Sequence, residues 1–252
     1  MSFDVAADAY DGFMGRYSRL LSAQLADWAA VRTGQRVLDV GCGTGALTGE
    51  LVMRLGPAAV VAVDPSEPFV VATRERHPGV DVRVSRAEHL PFPDATFDAT
   101  LAQLVVHFMK DPVAGLAEMG RVTRRGGVVA ACVWDHEGGE GPLEIFWGSA
   151  RTLDSKIDGE SKLAGARKGH LAELFETAKL HRIESTALSI SLEHSTFNAW
   201  WEPFQRGVGP AGAYLASLGA DQRIALREEC QRRVPSEPFT VTAVAWAARG
   251  VA

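Results

Sequence analysis

The segment RVLDVGCGTGALTGEL, residues 36–51, joins an apolar run to a cluster of three glycines. RVLDV (36–40) has the pattern of a buried β-strand, and TGALTGELVMRLG (44–56) predicts a helix with Thr44 as N-cap and Gly56 at its end. A glycine-rich turn between a strand and a helix is typical of nucleotide-binding sites, because it lets the backbone approach a ligand closely. The segment therefore predicts the first strand–turn–helix unit of an α/β fold.

Strand and helix patterns alternate on both sides of this segment up to residue 134. Helices are predicted at 18–31, 65–77 and 111–127, the last ending at Gly126-Gly127, and strands at 59–64, 80–85, 97–103 and 128–134. Beyond residue 134 the pattern predicts a short helix at 168–178, strands at 183–193 and 239–250, and a helical insertion at 196–235 between those strands. This alternation predicts a mostly parallel, doubly wound sheet with helices on both faces.

The composition narrows the class of protein. A chain of 252 residues is long enough for one α/β domain with an elaboration, and its net charge of −5 weighs against nucleic acid as a partner. We find no apolar run long enough for a membrane span and no signal peptide pattern at the N-terminus. Three cysteines that lie far apart argue against a disulfide framework or a zinc site, which makes the cytoplasm the expected location.

Asp39 decides which nucleotide the turn is expected to hold. Gly41, Gly43 and Ala46 also satisfy a loose dinucleotide fingerprint, G-x-G-x-x-G/A. A carboxylate at the end of the first strand would however repel a pyrophosphate, by about 3 kcal/mol at ~5 Å and an effective dielectric of 20. S-adenosylmethionine has no phosphate and carries an ammonium and a sulfonium, both of which a carboxylate attracts. Asp39 therefore favours S-adenosylmethionine over NAD.

Asp64 ends the next predicted strand, in VVAVDPS. It lies 19 residues beyond Gly45 (64 − 45), the spacing at which an acidic residue meets a ribose diol. A carboxylate can accept hydrogen bonds from both ribose hydroxyls. Pro65 beside it offers an apolar face to the adenine.

Four motifs, VLDVGCGTG, VVAVDPS, AEHLPFPDATFD and EMGRVTRRGG, occur in the order and spacing of the class I S-adenosylmethionine-dependent methyltransferases. Over residues 10–135 the chain resembles this family, and within it the small-molecule group that includes quinone-biosynthesis methyltransferases. The resemblance implies a Rossmann-like sheet of seven strands with an antiparallel last strand, N-terminal cofactor-covering helices at 1–35 and a cofactor-binding core at 36–134. The sequence has no internal repeat, low-complexity segment or linker-like stretch, which favours a single domain whose part at 135–252 contains C-terminal strands and a helical cap at 196–235.

The same resemblance assigns expected roles to individual positions. The turn from Gly41 to Gly45 would pack under the methionine moiety. The backbone amide of Ala87 would donate to adenine, with Glu88 flanking the ring, and the carbonyl of Ala102 would accept from the methionine ammonium. Related sequences commonly have Asp before the Ala-Glu pair, where this chain has Arg86, which cannot accept a hydrogen bond. Either Glu88 substitutes for that acceptor, or stacking and the backbone alone hold the adenine.

The leading segment AYDGFMGRYS resembles the part of these enzymes that folds over the cofactor. Tyr10 would then cover the methionine moiety and Arg16 would pair with its carboxylate. The alternative for Arg16 is a surface side chain on a capping helix.

His107 follows the fourth predicted strand, on the rim where open α/β sheets bind substrates. It is the candidate general base, and the alternative is a histidine packed beside Phe108. No base is required in principle, because the sulfonium is already an activated leaving group and in-line positioning can supply most of the acceleration.

Two further groups of residues have less specific patterns. Asp135, His136, Glu137 and Glu140 lie close together on a glycine-rich loop without regular ligand spacing, so a solvated loop is expected there and no metal site. Trp147, Trp200 and Trp201 either line an apolar substrate pocket under the cap or belong to the hydrophobic core, and the sequence leaves both interpretations open.

These features together predict an S-adenosylmethionine-dependent methyltransferase that acts on a small, partly apolar acceptor. The alternatives are a catalytically silent cofactor-binding or regulatory protein and, disfavoured by Asp39, an NAD-dependent oxidoreductase. The acceptor atom and the oligomeric state leave no signal in the sequence.

Overall fold

The computed structural model describes residues 7–234 and 236–252. Residues 1–6 of the predicted N-terminal segment and residue 235, the last of the predicted insertion, lie outside this range. Within it, none of the helices is long and apolar enough to cross a membrane.

Seven strands form one sheet. In chain order they are β1 (Val37–Val40), β2 (Val60–Asp64), β3 (Asp81–Val84), β4 (Phe97–Gln103), β5 (Thr123–Trp134), β6 (His181–His194) and β7 (Phe239–Val251). Their spatial order is β3-β2-β1-β4-β5-β7-β6, with β1 to β5 parallel and β7 antiparallel to both of its neighbours. The seven-stranded sheet with an antiparallel last strand is therefore confirmed.

The chain begins with α1 (Ala7–Tyr10), which a π-helical turn (Asp11–Gly15) joins to α2 (Arg16–Trp28), before β1. Helices α3 (Ala46–Leu55), α4 (Glu67–Arg76) and α5 (Pro112–Val122) follow β1, β2 and β4, and each leads to the next strand. Short 3-10 turns at Pro57–Ala59 and Val106–Phe108 precede β2 and follow β4.

The second half of the chain adds five helices. They are α6 (Glu144–Leu153), α7 (His170–Thr177), α8 (Phe197–Trp201), α9 (Gly209–Ser217) and α10 (Ala220–Arg233), with a 3-10 turn at Glu202–Arg206. The helices α8 to α10 fill the connection between β6 and β7, where the sequence predicts a helical insertion.

The sheet is covered on both faces, which explains the nearly continuous apolar runs of its central strands. In β5, Ala130, Cys132 and Trp134 belong to a core cluster that also contains Leu21 and Leu25 of α2. The alternate residues Val129, Ala131 and Val133 belong to a second cluster on the other face, with Leu116 of α5 and Phe175 of α7. Because the central strands are buried on both faces, the carboxyl-terminal edge of the sheet is the place for a site.

Two predicted helix ends are wrong. The N-cap of helix α3 is Gly45, whose φ of 91° is left-handed, and not Thr44, whose hydroxyl donates to Asp11 Oδ1. Helix α5 ends at Val122, because Thr123 already pairs with Phe97 at the start of β5. The glycines 126 and 127 do not stop a helix: they lie where the register slips between Phe97 and Ala99, and a Cβ on Gly127 would come within 2.6 Å of the Asp98 carbonyl oxygen.

Candidate functional site

The glycine turn after β1 needs its glycines for two different reasons. Gly41, at a φ of 73°, lies so close to the segment after β4 that an added Cβ would be 2.1 Å from Val105 Cγ2. Gly43 also has a positive φ, 54°, but nothing lies within 4 Å of where its Cβ would be. The first glycine permits close packing of two loops, and the second leaves open space in front of the backbone.

Asp64, the last residue of β2, fixes the same turn. Its Oδ2 accepts from the Gly43 amide at 2.9 Å, and its Oδ1 accepts from the Ser66 amide at 2.8 Å. Burial raises the pKa of this carboxyl above its usual value, although both amide hydrogen bonds act in the opposite direction. Each oxygen retains a lone pair, so Asp64 can still accept hydrogen bonds from a ligand.

Asp39 lies beneath the turn and is fully buried. Thr48 Oγ1 donates to its Oδ2 at 2.7 Å, whereas Oδ1 has no hydrogen-bond partner among the described residues. Burial is the main cause that raises the pKa of Asp39 to about 7. This carboxyl therefore changes charge near neutral pH and has one oxygen that the protein leaves unsatisfied.

A cavity of about 700 Å³, the large cavity, opens at the carboxyl-terminal edge of the sheet. It lies beside β1, where the strand order reverses: β2 and β3 follow on one side of β1, and β4 and β5 on the other. Doubly wound folds bind ligands at this position. The predicted site residues that line it are Tyr10, Gly41, Gly43, Asp64, Pro65, Ala87, Glu88 and His107.

Three predicted cofactor residues are not among those that line this cavity within the described ranges. Asp39 is buried beneath it, as described above. Ala102 is fully buried one residue before the end of β4, and the next three residues, Gln103, Leu104 and Val105, line the cavity instead. Arg16 lies at the start of α2, where its charge helps to lower the pKa of His194.

Sequence reasoning missed the aromatic and long side chains of the cavity wall. Phe69 of α4 lines the cavity, as do Phe108, Met109 and Lys110 after β4. Their only signal in the sequence is their place just after a strand that ends at the rim.

The wall after β3 contains Arg86, Ala87 and Glu88. Glu88 Oε1 accepts from the backbone amides of Lys110 and Asp111, at 2.8 and 3.2 Å. The Glu88 carboxylate therefore holds the loop after β4 in place through Oε1. Its Oε2 takes part in neither of those two hydrogen bonds. Arg86 is exposed at the cavity wall.

The N-terminal helix closes one side of the large cavity. The Tyr10 and Phe69 rings lie 5.4 Å apart between centroids, and burial raises the pKa of Tyr10 to about 12. Asp11 fastens this segment, because its carboxylate pairs with Arg76 at the end of α4 and accepts from Thr44. Tyr10 thus lies in the wall of the large cavity, and its covering role stays a prediction.

A second cavity of about 40 Å³, the small cavity, adjoins the large one, and the two share Tyr10, Leu104, His107 and Phe108 as lining residues. Its polar wall consists of His107, His136 and Glu160. Its apolar wall consists of Phe13, Met14, Trp134, Leu143, Val208, Pro210 and Ala211.

The loop after β5 is not the solvated loop that the sequence predicts. Glu137 and Glu140 are exposed, but Asp135 and His136 are 3% and 8% exposed. Asp135 Oδ1 accepts from the Gly138 amide at 2.8 Å, so a tight turn folds the loop inward and carries the His136 ring to the small cavity.

The tryptophans expected to line a substrate pocket are in the hydrophobic core. Trp200 and Trp201 are 2% and 3% exposed and pack with Phe204, whose ring stacks on Phe146 of α6 at 4.7 Å. Trp147 donates its indole N–H to Glu160 Oε2 at 2.9 Å, so it supports the wall of the small cavity from behind. Neither cavity described above has any of the three in its lining, and of the two readings left open by the sequence the geometry favours plain core.

Comparisons with known proteins agree with this geometry. Residues 38–131 match the model of the family described as "Methyltransferase domain". An uncharacterised methyltransferase of Mycobacterium bovis is 36% identical over 186 residues, which are 74% of this chain and 70% of that protein. The chain belongs to the S-adenosylmethionine-dependent methyltransferases.

Other relatives of this methyltransferase match over a shorter stretch. A malonyl-[acyl-carrier protein] O-methyltransferase of Erwinia billingiae is 36% identical over 128 residues, 51% of this chain and 50% of that protein. The chain thus spans about half the length of the first curated relatives it matches, and 70% of the mycobacterial one.

Solved structures support the fold of this methyltransferase. A protein from an antibiotic biosynthesis pathway of Anabaena variabilis is 18% identical and has a TM-score of 0.64, with 93% of this chain and 99% of that chain covered. The [4+2]-cyclase SpnF is 19% identical, with a TM-score of 0.55 and coverage of 92% and 81%. The fold alone is therefore shared with a protein named for a different reaction.

The residues of this methyltransferase fit S-adenosylmethionine. The space in front of Gly43 leaves room for a ligand against the backbone, and Asp64 retains acceptor capacity for a ribose diol. Asp39, whose Oδ1 has no partner among the described residues, changes charge near neutral pH and would gain negative charge beside the two positive charges of the cofactor.

Proposed function

We propose that this methyltransferase transfers the methyl group of S-adenosylmethionine to an oxygen of a small, partly apolar acceptor. The observation that carries the proposal is the pair of adjoining cavities. The large one has the glycine turn and Asp64 in its wall, and its volume of about 700 Å³ lies within the ~300–1,000 Å³ typical of small-molecule sites. The small one combines an apolar wall with three polar side chains.

On this proposal, residues of the chain divide the work of binding. Asp64 accepts from the ribose, the Gly43 turn receives the methionine moiety, Pro65 and Ala87 contact the adenine, and Tyr10 excludes water from one side. The charge of Asp39 attracts the ammonium and the sulfonium. When bound, S-adenosylmethionine supplies a methyl group on a sulfonium, which needs no further activation.

His107 is the proposed proton acceptor for the reaction. It lines both cavities, its Nδ1 has no hydrogen-bond partner in the described part of the chain, and burial holds its pKa well below the usual value. The ring is therefore neutral at neutral pH, with a lone pair available. An acceptor oxygen attacks the methyl carbon, the carbon–sulfur bond breaks toward sulfur, and the acceptor's proton passes to His107 or to water.

An oxygen acceptor is supported by two observations. One relative is named an O-methyltransferase of malonyl-[acyl-carrier protein], although the match covers only half of each chain. The polar end of the small cavity places two imidazoles and a carboxyl where a hydroxyl or carboxyl acceptor would meet hydrogen-bonding partners.

A panel of phenols, aliphatic alcohols, carboxylic acids and amines, assayed for S-adenosylhomocysteine release, tests the proposal. We expect turnover with at least one partly apolar member, and loss of that turnover in Asp64→Ala. Tight binding of S-adenosylhomocysteine without turnover of any acceptor would instead favour a catalytically silent binding protein. Turnover of amines alone would contradict the oxygen acceptor.

A further inference from the structure

Three side chains with metal-ligating atoms meet at the small cavity. They are His107 in the turn after β4, His136 in the loop after β5, and Glu160 between α6 and α7. One nitrogen or oxygen from each lies within 4.8 Å of the others. The three residues are 8%, 8% and 4% exposed, so this cluster is inside the protein and not a solvated patch.

Two of these three residues have unsatisfied polar atoms. His107 Nδ1 and His136 Nε2 are buried, and the described residues offer neither of them a hydrogen-bond partner. Buried polar atoms are rarely left unpaired, and an ion or a water is a common reason for one to persist. Two such atoms on neighbouring rings, 6.0 Å apart between centroids, point to something held between them.

Glu160 is oriented by a partner of its own. Trp147 Nε1 donates to Oε2 at 2.9 Å. Such an outer hydrogen bond fixes the direction in which a ligating carboxylate presents its oxygens.

We propose that His107, His136 and Glu160 form a binding site for a divalent transition-metal ion of the zinc, cobalt or iron(II) type. Two imidazoles and one carboxylate are a donor set found in zinc enzymes and in non-haem iron(II) sites. Magnesium and calcium prefer oxygen ligands and are not expected here. Ligand atoms ~2.0–2.2 Å from a tetrahedral zinc ion lie roughly 3.4 Å from one another. The three ligand atoms here lie within 4.8 Å of one another, so side-chain rotation must shorten each of these distances by about 1.4 Å at most.

The position of the metal site would let the ion contact the acceptor. It lies at the end of the small cavity, which adjoins the large cavity through His107 and Phe108, so an open coordination position would face the acceptor. This step rests on the proposed function: an acceptor oxygen bound to the ion loses its proton more easily, because the cation stabilises the oxyanion. The ion would then replace His107 as the group that promotes deprotonation, and His107 would act as a ligand.

Metal binding can be measured without any acceptor. The full chain is purified without a polyhistidine tag and treated with a chelator. It is then titrated with Zn²⁺ by calorimetry and with Co²⁺ by visible absorption, and Mg²⁺ is the negative control. We expect one Zn²⁺ or Co²⁺ per chain at micromolar affinity or tighter, d–d bands of a low-coordinate Co²⁺ site, and a rise in melting temperature with Zn²⁺ and with Co²⁺ but not with Mg²⁺.

Glu160→Gln is the informative variant, since it keeps an acceptor for Trp147 Nε1 and removes the carboxylate. It should weaken Zn²⁺ binding at least tenfold, whereas His181→Ala, which removes an exposed histidine on β6, should leave it within twofold. If Glu160→Gln does not fold, the stoichiometry and absorption of the unaltered chain still decide the question.

Absence of stoichiometric Zn²⁺ and Co²⁺ binding, or binding that survives Glu160→Gln unchanged, would overturn the site and leave a neutral histidine–carboxyl cluster. The outcome is separate from that of the methyl-transfer assay. If a chelator changes neither the binding of S-adenosylhomocysteine nor the turnover of the acceptor, the proposed function is upheld and the ion has no role in the reaction.

Discussion

At the scale of single residues, Asp64 has two tasks that one variant can test. Its carboxylate accepts from the amides of Gly43 and Ser66, and we propose that it also accepts from the ribose of the cofactor. Asp64→Ala should weaken S-adenosylhomocysteine binding ~10–100-fold, because two hydroxyls lose a charged acceptor. Calorimetric titration measures the change. Asp81→Ala, which removes an exposed carboxylate from the neighbouring strand, is the matched control and should leave the dissociation constant within twofold.

An unchanged affinity in a folded Asp64→Ala variant would remove Asp64 from the site. Asp64→Asn is a milder change, since it loses the charge but keeps an acceptor oxygen for one of the two backbone amides.

Asp39 makes the stability of the free protein depend on pH. Its pKa is raised to about 7 in the folded chain, mainly by burial, against 3.8 for an ordinary aspartate. The folded state thus binds the proton more tightly, so this group's stabilising contribution is complete below about pH 4 and is lost as pH rises to about 7. The full effect is at most about 4 kcal/mol, from three pKa units of ~1.36 kcal/mol each.

Asp39→Asn should remove this dependence. The unfolding free energy of the variant minus that of the unaltered chain should increase from pH 4 to pH 7 and stay level above it. Urea titrations at pH 4.5, 6 and 8, without cofactor, measure the difference. A difference that does not change with pH would show that Asp39 ionises normally in the folded protein.

At the scale of elements, the N-terminal helix is held over the large cavity by one acidic residue. Asp11 pairs with Arg76 and accepts from Thr44, whereas Asp8, on the same segment, lies 3.7 Å from Arg76 and is 97% exposed. We expect Asp11→Asn to raise the S-adenosylhomocysteine dissociation constant several-fold, because the cover formed by Tyr10 is released more often. Asp8→Asn should change it less than twofold, since exposed ion pairs contribute little.

Stopped-flow displacement of bound S-adenosylhomocysteine shows the expected change as a faster dissociation rate in Asp11→Asn. Equal rates for the two variants would mean that the helix does not cover the cofactor.

The insertion between β6 and β7 contributes core as well as cavity wall. Trp201→Ala should lower the unfolding free energy by ~3–5 kcal/mol, since the indole is 3% exposed and packs against Phe197 and Phe204. Ile224→Ala, on the exposed side of α10, should cost less than about 1 kcal/mol. Chemical unfolding of both variants gives the comparison. A stable Trp201→Ala variant with selective loss of acceptor kcat/KM would instead identify Trp201 as part of a substrate lid.

The elements predicted best from the sequence are those whose pattern is local. Strands β1, β2, β4 and β5 are buried on both faces, and a covered parallel strand has a continuous apolar run. Helix α6 was not predicted, because it follows a glycine-rich loop and its buried Phe146 and Trp147 face a partner, the insertion, that lies far along the chain. The end of α5 was placed five residues late, since the bulge at Gly126 and Gly127 depends on pairing with β4.

At the scale of the whole molecule, some residues of the candidate site could be predicted from local sequence and others could not. Asp64 and the glycines of the first turn could be placed from the sequence, because their roles depend on spacing within one strand–turn–helix unit. The cluster of His107, His136 and Glu160 could not, since its members come from three separate loops and meet only when β4, β5 and α6 are assembled. Asp39 combines the two cases: its position was predictable, but its complete burial beneath the cavity depends on helix α3.

The central claim is that the cavity at the switch point of the sheet is built for S-adenosylmethionine and not for a dinucleotide. Calorimetric titration of the full chain with S-adenosylhomocysteine, and separately with NAD at the same concentrations, tests this most directly. We predict saturable binding of one S-adenosylhomocysteine per chain in the micromolar range or tighter, and no saturable heat with NAD. Binding of NAD, or no binding of S-adenosylhomocysteine to a chain shown to be folded by its thermal unfolding, would contradict the account.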